Sequence, residues 1–328
     1  MMRCVRALAL GAALIASLPV TAEPVNSPAT ELAQWQAQEA RLFAVGWRLV
    51  TGNAGFCRNS APALGLLLHD ADGYAAPQAV RAALGLAGPI GVQAVASGSP
   101  AQAAGLRQND TLLTVEGREL AALPLDREAG WRRLADVNDT IEAGLRRNGH
   151  ITLSWRGAGG ATRETQVAGT PACPSRFELL GTGDRVVADG ARVLLGRAFA
   201  GFTYPDELLA AAVGHELAHN LLGHRARLDR EGRGQANIRA TEREADRMMP
   251  WLLANAGYPP DAAARFMRRW GPTSTGGQLG GLLRARSHDG WDERAKLIEA
   301  ELPFIAAEMA EKGRADWRSR FSGAALER

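Results

Sequence analysis

His215, Glu216 and His219 close an apolar run, Glu207 to Gly214, in the order His-Glu-x-x-His. On a helix, residues four apart share a face, one turn from each other. The two imidazoles therefore converge on one point and can hold a single Zn²⁺ ion. Glu216 stands between them, where its carboxylate can take a proton from a water on the ion. The chemistry this spacing carries is hydrolysis of an amide bond by zinc-activated water. A buried helix that merely carries two histidines and a glutamate is the competing reading, and the residues downstream weigh against it.

A hydrolytic zinc takes three protein ligands and keeps one open position, so a third ligand must come from outside this helix. A glycine three and a histidine six residues past His219 would meet one known spacing, but Leu222 and Arg225 stand there. A glutamate 19 or 20 residues past His219 would meet another, but those positions hold Ile238 and Arg239. His224 lies five residues past His219, which rotates it off the ligand face and leaves it behind the ligands or on the surface. The next helical pattern runs from Ala240 to Ala256, ends at Gly257, and begins with Glu242-Arg243-Glu244-Ala245-Asp246. Glu242 and Asp246 share a face, so Glu242 can complete the zinc set while Asp246 accepts a hydrogen bond from the outer nitrogen of a ligating histidine. Glu244 points elsewhere, toward solvent. An ordinary charged helix surface would explain these charges, but not their place in the helix that follows His-Glu-x-x-His.

This pairing of His215-Glu216-x-x-His219 with Glu242-x-Glu244-Ala245-Asp246 resembles the HtpX, Oma and type-I CaaX prenyl protease family of zinc metallopeptidases. Asp184 to Leu194 resembles the strand that runs along that family's cleft, and Ala256 to Phe266 the turn and helix after its third ligand. Ser287-His288 with Asp292-Glu293-Arg294 resembles its His-Pro…Glu-Arg motif, with the same six-residue step from histidine to arginine. The resemblance covers roughly residues 175–300. It implies an α+β fold: a mostly helical zincin-type metallopeptidase domain with a small β-sheet, one Zn²⁺ on His215, His219 and Glu242, and Glu216 as the base. It places Asp246 and Arg294 behind the ligands, and His288 near the metal to steady the oxyanion or gate the zinc. Asp289 stands where the family has proline. Without the resemblance, His288 reads equally well as an exposed histidine.

These elements are framed by a leader. Arg3 and Arg6 precede an apolar run of 14 residues, Ala7 to Val20, and Val20-Thr21-Ala22 offers small residues before Glu23. That is the pattern of a secretory signal peptide over residues 1–22. The run falls short of the roughly 20 residues of a membrane span, and no later stretch is both long and uncharged. The chain is therefore expected in the periplasm and resembles the soluble periplasmic branch of a family whose best-known members are membrane-embedded. An uncleaved anchor is the alternative. Cys57 and Cys173 remain after the leader, and an oxidising compartment suggests that they bridge, the alternative being two buried thiols.

The segment between those cysteines has its own pattern. Ile90 to Val95 suits a strand, Ser99 can cap a short helix with Pro100 in its first position, and Gly105 suits its end. Asn109-Asp110 reads as a turn, Thr111 to Val115 as a strand and Glu116-Gly117 as a second turn. A helix with Trp131, Leu134 and Ile141 and two strands, Ile151 to Trp155 and Thr162 to Val167, close the unit. Ser99-Pro-Ala-x-x-Ala-Gly-Leu106 within this pattern closely resembles a bacterial PDZ domain. The resemblance implies an inserted, β-rich PDZ unit that binds extended or C-terminal peptides, with Leu86, Ala87, Gly88, Pro89 and Ile90 as the carboxylate-binding loop. A PDZ unit serving only as lid or spacer is the alternative.

The expected order is a signal peptide over 1–22, a helix-bearing segment over 23–60, the PDZ-like unit over 61–170 and the metallopeptidase domain over 171–328. Leu32, Trp35, Leu42, Val45 and Leu49 recur at helical spacing, interrupted at Gln38 and Glu39. Arg225 to Arg239 and the glycine-rich Gly271 to Gly281 look mobile and suited to cover a cleft. The 38 basic residues fall to 36 without Arg3 and Arg6, against 35 acidic, and no basic patch argues for nucleic acid. The expected partners are unfolded or extended polypeptides, with peripheral envelope proteins next. A zinc-dependent envelope chaperone or assembly factor is the second functional reading. A serine protease is set aside because no Gly-Asn-Ser-Gly-Gly string occurs.

Overall fold

The computed structural model describes residues 28–126, 128–274 and 289–321. The leader, His288 and residues 275–281 of the glycine-rich segment lie outside them. The protein is α+β, 51% helical with about 19% strand in small sheets. Among the described residues no helix is long and apolar enough to cross a membrane.

Helix α1 (Pro28–Gly52) opens the described chain. Leu42, Val45 and Leu49 recur along one stripe and are buried in the larger of two apolar cores. The polar turn that interrupts the stripe has a partner of its own. Gln36 Nε2 donates to Gln93 Oε1 at 3.1 Å and to Asn109 Oδ1 at 3.0 Å. Glu39 Oε2 accepts from Trp35 Nε1 at 3.0 Å and from Gln93 Nε2. One half of α1 thus packs in a core, and the other is joined by side-chain hydrogen bonds to a second body.

That second body enters and leaves through a paired neck. β1 (Ala61–Ala63) and β8 (Thr170–Ala172) run antiparallel, with Ala61 opposite Ala172 and Ala63 opposite Thr170. Just outside the neck, Cys57 and Cys173 form a disulfide, their Cα atoms 5.5 Å apart and their positions separated by 116 residues. Closing so long a loop stabilises the fold by about 4–5 kcal/mol in the chain-entropy account.

Between the neck strands lie β2 (Leu66–Asp70), α2 (Pro77–Leu84), β3 (Ile90–Val95), α3 (Pro100–Ala103), β4 (Thr111–Val115), β5 (Arg118–Glu119), α4 (Arg132–Asn148), β6 (His150–Arg156) and β7 (Thr162–Ala168). The strands form an antiparallel sheet in the order β2-β3-β4-β6-β7, with β5 on β4. Leu64, Ile90, Leu112, Ile151 and Trp155 belong to its core. Ser99 Oγ caps α3 by accepting from Gln102 N at 3.2 Å. Glu116 and Gly117 both have positive φ, 49° and 75°, the form that a two-residue hairpin between twisted strands requires. Trp131 precedes α4 rather than packing within it and is 68% exposed.

In the segment Leu86, Ala87, Gly88, Pro89 and Ile90, expected to bind a carboxylate, two backbone N–H groups are committed within the fold. Leu86 N donates to Arg81 O at 2.9 Å, Ala87 N donates to Thr111 Oγ1 at 2.9 Å, and Pro89 has no N–H. Ile90 pairs with Asp70, and its strand, β3, lies inside the sheet between β2 and β4. Among the described residues the outer strand on this side is β2.

The larger body holds β9 (Arg176–Leu180), β10 (Val186–Ala188), β11 (Arg192–Gly196), α5 (Asp206–Leu221), α6 (His224–Glu231), α7 (Gln235–Asn255), α8 (Ala262–Ser274), α9 (Trp291–Glu299) and α10 (Leu302–Lys312). The run expected as one cleft strand, Asp184 to Leu194, is a hairpin. Asp189 Oδ1 accepts from Ala191 N at 3.0 Å and Arg192 N at 2.7 Å, which folds the chain back on itself. In the sheet order β10-β11-β9, β10 is the outer strand beside α5. Arg225 to Arg239 is not a loop: most of it is α6 and the first turns of α7. Asn237 Nδ2 donates to Glu231 O at 3.1 Å and Gly232 O at 2.9 Å, tying the two helices at their junction. Helix α7 therefore starts five residues before the expected Ala240.

Candidate metal centre

Helix α5 is apolar all round over residues 208–214, and Leu208 through His215 are all buried. A helix of that kind belongs in the middle of a core. It packs on α7, α8, α1 and the β9–β11 sheet, so the polar residues of its last turns, His215, Glu216 and His219, are delivered to a site walled by those elements. Helix α7 brings Glu242 and Asp246 to the same place, and α9 brings Arg294.

Donor atoms of three residues converge. His215 Nε2 lies 3.2 Å from His219 Nε2 and 3.3 Å from Glu242 Oε2, and His219 Nε2 lies 3.5 Å from Glu242 Oε1. Four ligands arranged tetrahedrally at Zn–N distances of about 2.0–2.1 Å stand about 3.3–3.4 Å from one another. The His215–His219 and His215–Glu242 spacings are close to an edge of that tetrahedron, while the 3.5 Å contact of His219 is to the other Glu242 oxygen; three ligating residues leave a fourth position for water or substrate. Two nitrogens and one carboxylate oxygen are also donors that zinc accepts. Among the described residues this is the group of histidine, cysteine and acidic side chains placed to hold a metal.

The rings are held from behind. His215 Nδ1 stands 3.1 Å from Asp246 Oδ1, a charge contact with the N–H set off the hydrogen-bond line. Asp246, 1% exposed, is gripped by Arg294, whose Nε donates to Oδ2 at 2.7 Å and Nη2 to Oδ1 at 2.6 Å. Burial raises the Asp246 carboxyl, but Arg294 and His215 outweigh it and hold the group below the usual carboxylate range. Asp289 binds Arg243 on α7 and so pins the start of α9.

Electrostatics sets the two histidines apart. Burial pulls His215 down, yet the Asp246 and Glu242 carboxylates raise it to about 10. Burial, with the His215 charge beside it, lowers His219 to about 3. Glu216 is pushed up to about 7, chiefly by burial, while its carboxylate accepts the Ala188 N–H of β10. A carboxyl poised near neutrality beside three converging donors can both take and return a proton.

Of the residues singled out from the sequence, His215, Glu216, His219, Glu242, Asp246 and Arg294 gather here. His288 lies outside the described residues. Of the two readings of His224, the structure has the one behind the ligands: it is 1% exposed, with Nδ1 2.9 Å from His219 Nδ1. One assignment changes. Glu244 is not simply solvated: its Oε2 lies 3.1 Å from His224 Nε2 and accepts from Arg227 Nη1 at 2.9 Å. The signal that was missed is Gly223. It takes a left-handed conformation, φ 63°, ending the run of α5, so helical phase no longer applies and His224 returns beside His219.

A cleft of about 1700 Å³ opens between the two bodies. Leu66 and Leu68 of β2 and Leu134 and Ile141 of α4 line one side, and Phe177 and Asn220 the other. At its mouth Gly65 has φ +67°, and a Cβ there would fall 2.3 Å from Ser99 Cβ, so only glycine fits this bend. In comparisons with known proteins, no family model matches this chain, and neither a curated protein nor a solved structure does.

Proposed function

We propose that this chain is a zinc-dependent endopeptidase of the cell envelope, with a zincin-type catalytic body and a PDZ-type module inserted through the neck. One observation carries the reading: His215, His219 and Glu242 present donor atoms 3.2–3.5 Å apart, with Asp246 and His224 beside the outer ring nitrogens. Zinc held there would supply a Lewis acid that polarises a peptide carbonyl and acidifies a water. Glu216 takes the proton of the attacking water and returns it to the leaving amine. The outer strand β10 pairs with the extended substrate, and His288 is assigned to the oxyanion. The substrates are unfolded or extended polypeptides in the periplasm, reached through the leader over residues 1–22. In the module, the peptide site moves from Leu86–Ile90 to the outer strand β2 facing α4. Glu216→Gln tests the mechanism. It is expected to keep one zinc per chain and to lose casein hydrolysis by 10²-fold or more, on the order of a general base's contribution; an unchanged rate contradicts it.

One feature favours a second reading, an envelope chaperone or assembly factor with little proteolysis. The large cleft is lined by none of the three ligands, so a polypeptide can bind there without reaching the metal. Rescue of an envelope defect by the Glu216→Gln variant supports that reading.

A further inference from the structure

Behind His219 runs a second buried chain of polar groups. The His219 and His224 rings meet edge to face, 4.8 Å between centroids at 80°, with their Nδ1 atoms 2.9 Å apart. His224 Nε2 reaches Glu244 Oε2 at 3.1 Å, and the same oxygen accepts from Arg227 Nη1 at 2.9 Å. Two ring nitrogens can share a hydrogen only if one carries it and the other does not. If His219 Nε2 is a metal ligand, its ring is neutral and its hydrogen sits on Nδ1. His219 Nδ1 then donates and His224 Nδ1 accepts. The hydrogen of His224 is left on Nε2, where it points at Glu244. Each direction follows from the one before, and the line ends on Glu244 Oε2, which accepts from both His224 and Arg227.

We propose that His224, Glu244 and Arg227 are positioning residues that fix the tautomer and the angle of His219. This rests on the reading of His215, His219 and Glu242 as metal ligands. The arrangement parallels the one behind His215, where Asp246 and Arg294 do the same directly. Each imidazole is backed by a carboxylate that an arginine holds, but His219 meets its carboxylate through an intervening ring. Helix α6 exists in this account to bring His224 and Arg227 back beside α5 after the turn at Gly223.

The test uses zinc affinity, measured by competition with a chromogenic chelator, and the visible spectrum of the cobalt-loaded protein. His224→Ala is expected to weaken zinc binding 10–100-fold, the usual effect of removing such a partner, and to change the cobalt spectrum. His224→Asn places an amide oxygen where Nδ1 stood and is expected to recover most of the affinity. Glu244→Ala, at a partly exposed position, is expected to weaken binding several-fold without disturbing the fold. Full wild-type affinity and an unchanged spectrum in both alanine variants overturn the proposal. The zinc-loaded wild type gives an independent check by ¹⁵N NMR. Hydrogen on His219 Nδ1 and His224 Nε2 is expected, and the opposite tautomer of His224 overturns the relay. A wild-type chain that takes up no zinc, with Glu242→Ala no different from it, defeats the metal reading and the relay with it. Loss of zinc in Glu242→Ala alone, with His224→Ala intact, defeats only the relay.

Discussion

At the scale of single residues, the proposed ligand set holds one proton too many for a metal. His215 is held at about 10 by Asp246 and Glu242, so at neutral pH it is an imidazolium, whereas a ligand must be neutral. The sign follows. Below its raised pKa the ring holds a proton that the metal must displace, so apparent zinc affinity rises with pH. Between pH 6 and 8 the account predicts an increase of about tenfold per pH unit and release of about one proton per zinc. Calorimetry in buffers of different ionisation enthalpy measures that proton directly, and binding without proton release contradicts the assignment.

Helices and strands raise a different question, that of how side chains inside one element find partners in another. Glu39 on α1 is raised by burial, against the opposing effect of its bonds from Gln93 and Trp35. A carboxyl whose folded pKa is raised stabilises the fold at low pH and loses that contribution as pH rises through the folded value. Glu39→Gln, which keeps an acceptor without the charge, is therefore expected to unfold at higher urea than wild type at pH 8. The difference should vanish near pH 4, and a variant less stable at pH 8 would contradict it. This joint also marks what could be read from the chain alone. His-Glu-x-x-His and the Glu242–Asp246 pair were legible because helical spacing is local. So were β3 and β4, whose bounds match the expected Ile90–Val95 and Thr111–Val115. The partners of Gln36 and Glu39 were not, because they lie 57 and 54 residues away across a second body. The edge position of β2 was not legible either: which strand lies at a sheet edge depends on strand order, and strand order leaves no mark on a strand's own pattern.

For the whole molecule, the governing feature is the neck. β1, β8 and the Cys57–Cys173 bridge hold both ends of the inserted body at one point, and the hydrogen bonds from Gln36 and Gln93 join it to α1 at another. The cleft lies between these attachments, so its shape depends on both. Replacing both cysteines by serine is expected to lower stability by about 2–5 kcal/mol, read as a drop in the urea midpoint, while zinc uptake persists because the ligands belong to the other body. An unchanged midpoint would show that the neck strands alone suffice.

The central claim is that two imidazoles and one carboxylate from α5 and α7 hold a single ion. X-ray absorption at the zinc edge of the purified protein tests it most directly. The expected result is one zinc per chain with two imidazole nitrogens and a carboxylate oxygen at about 2.0–2.1 Å, lost in Glu242→Ala. A protein without zinc, or a zinc spectrum unchanged by Glu242→Ala, would contradict it.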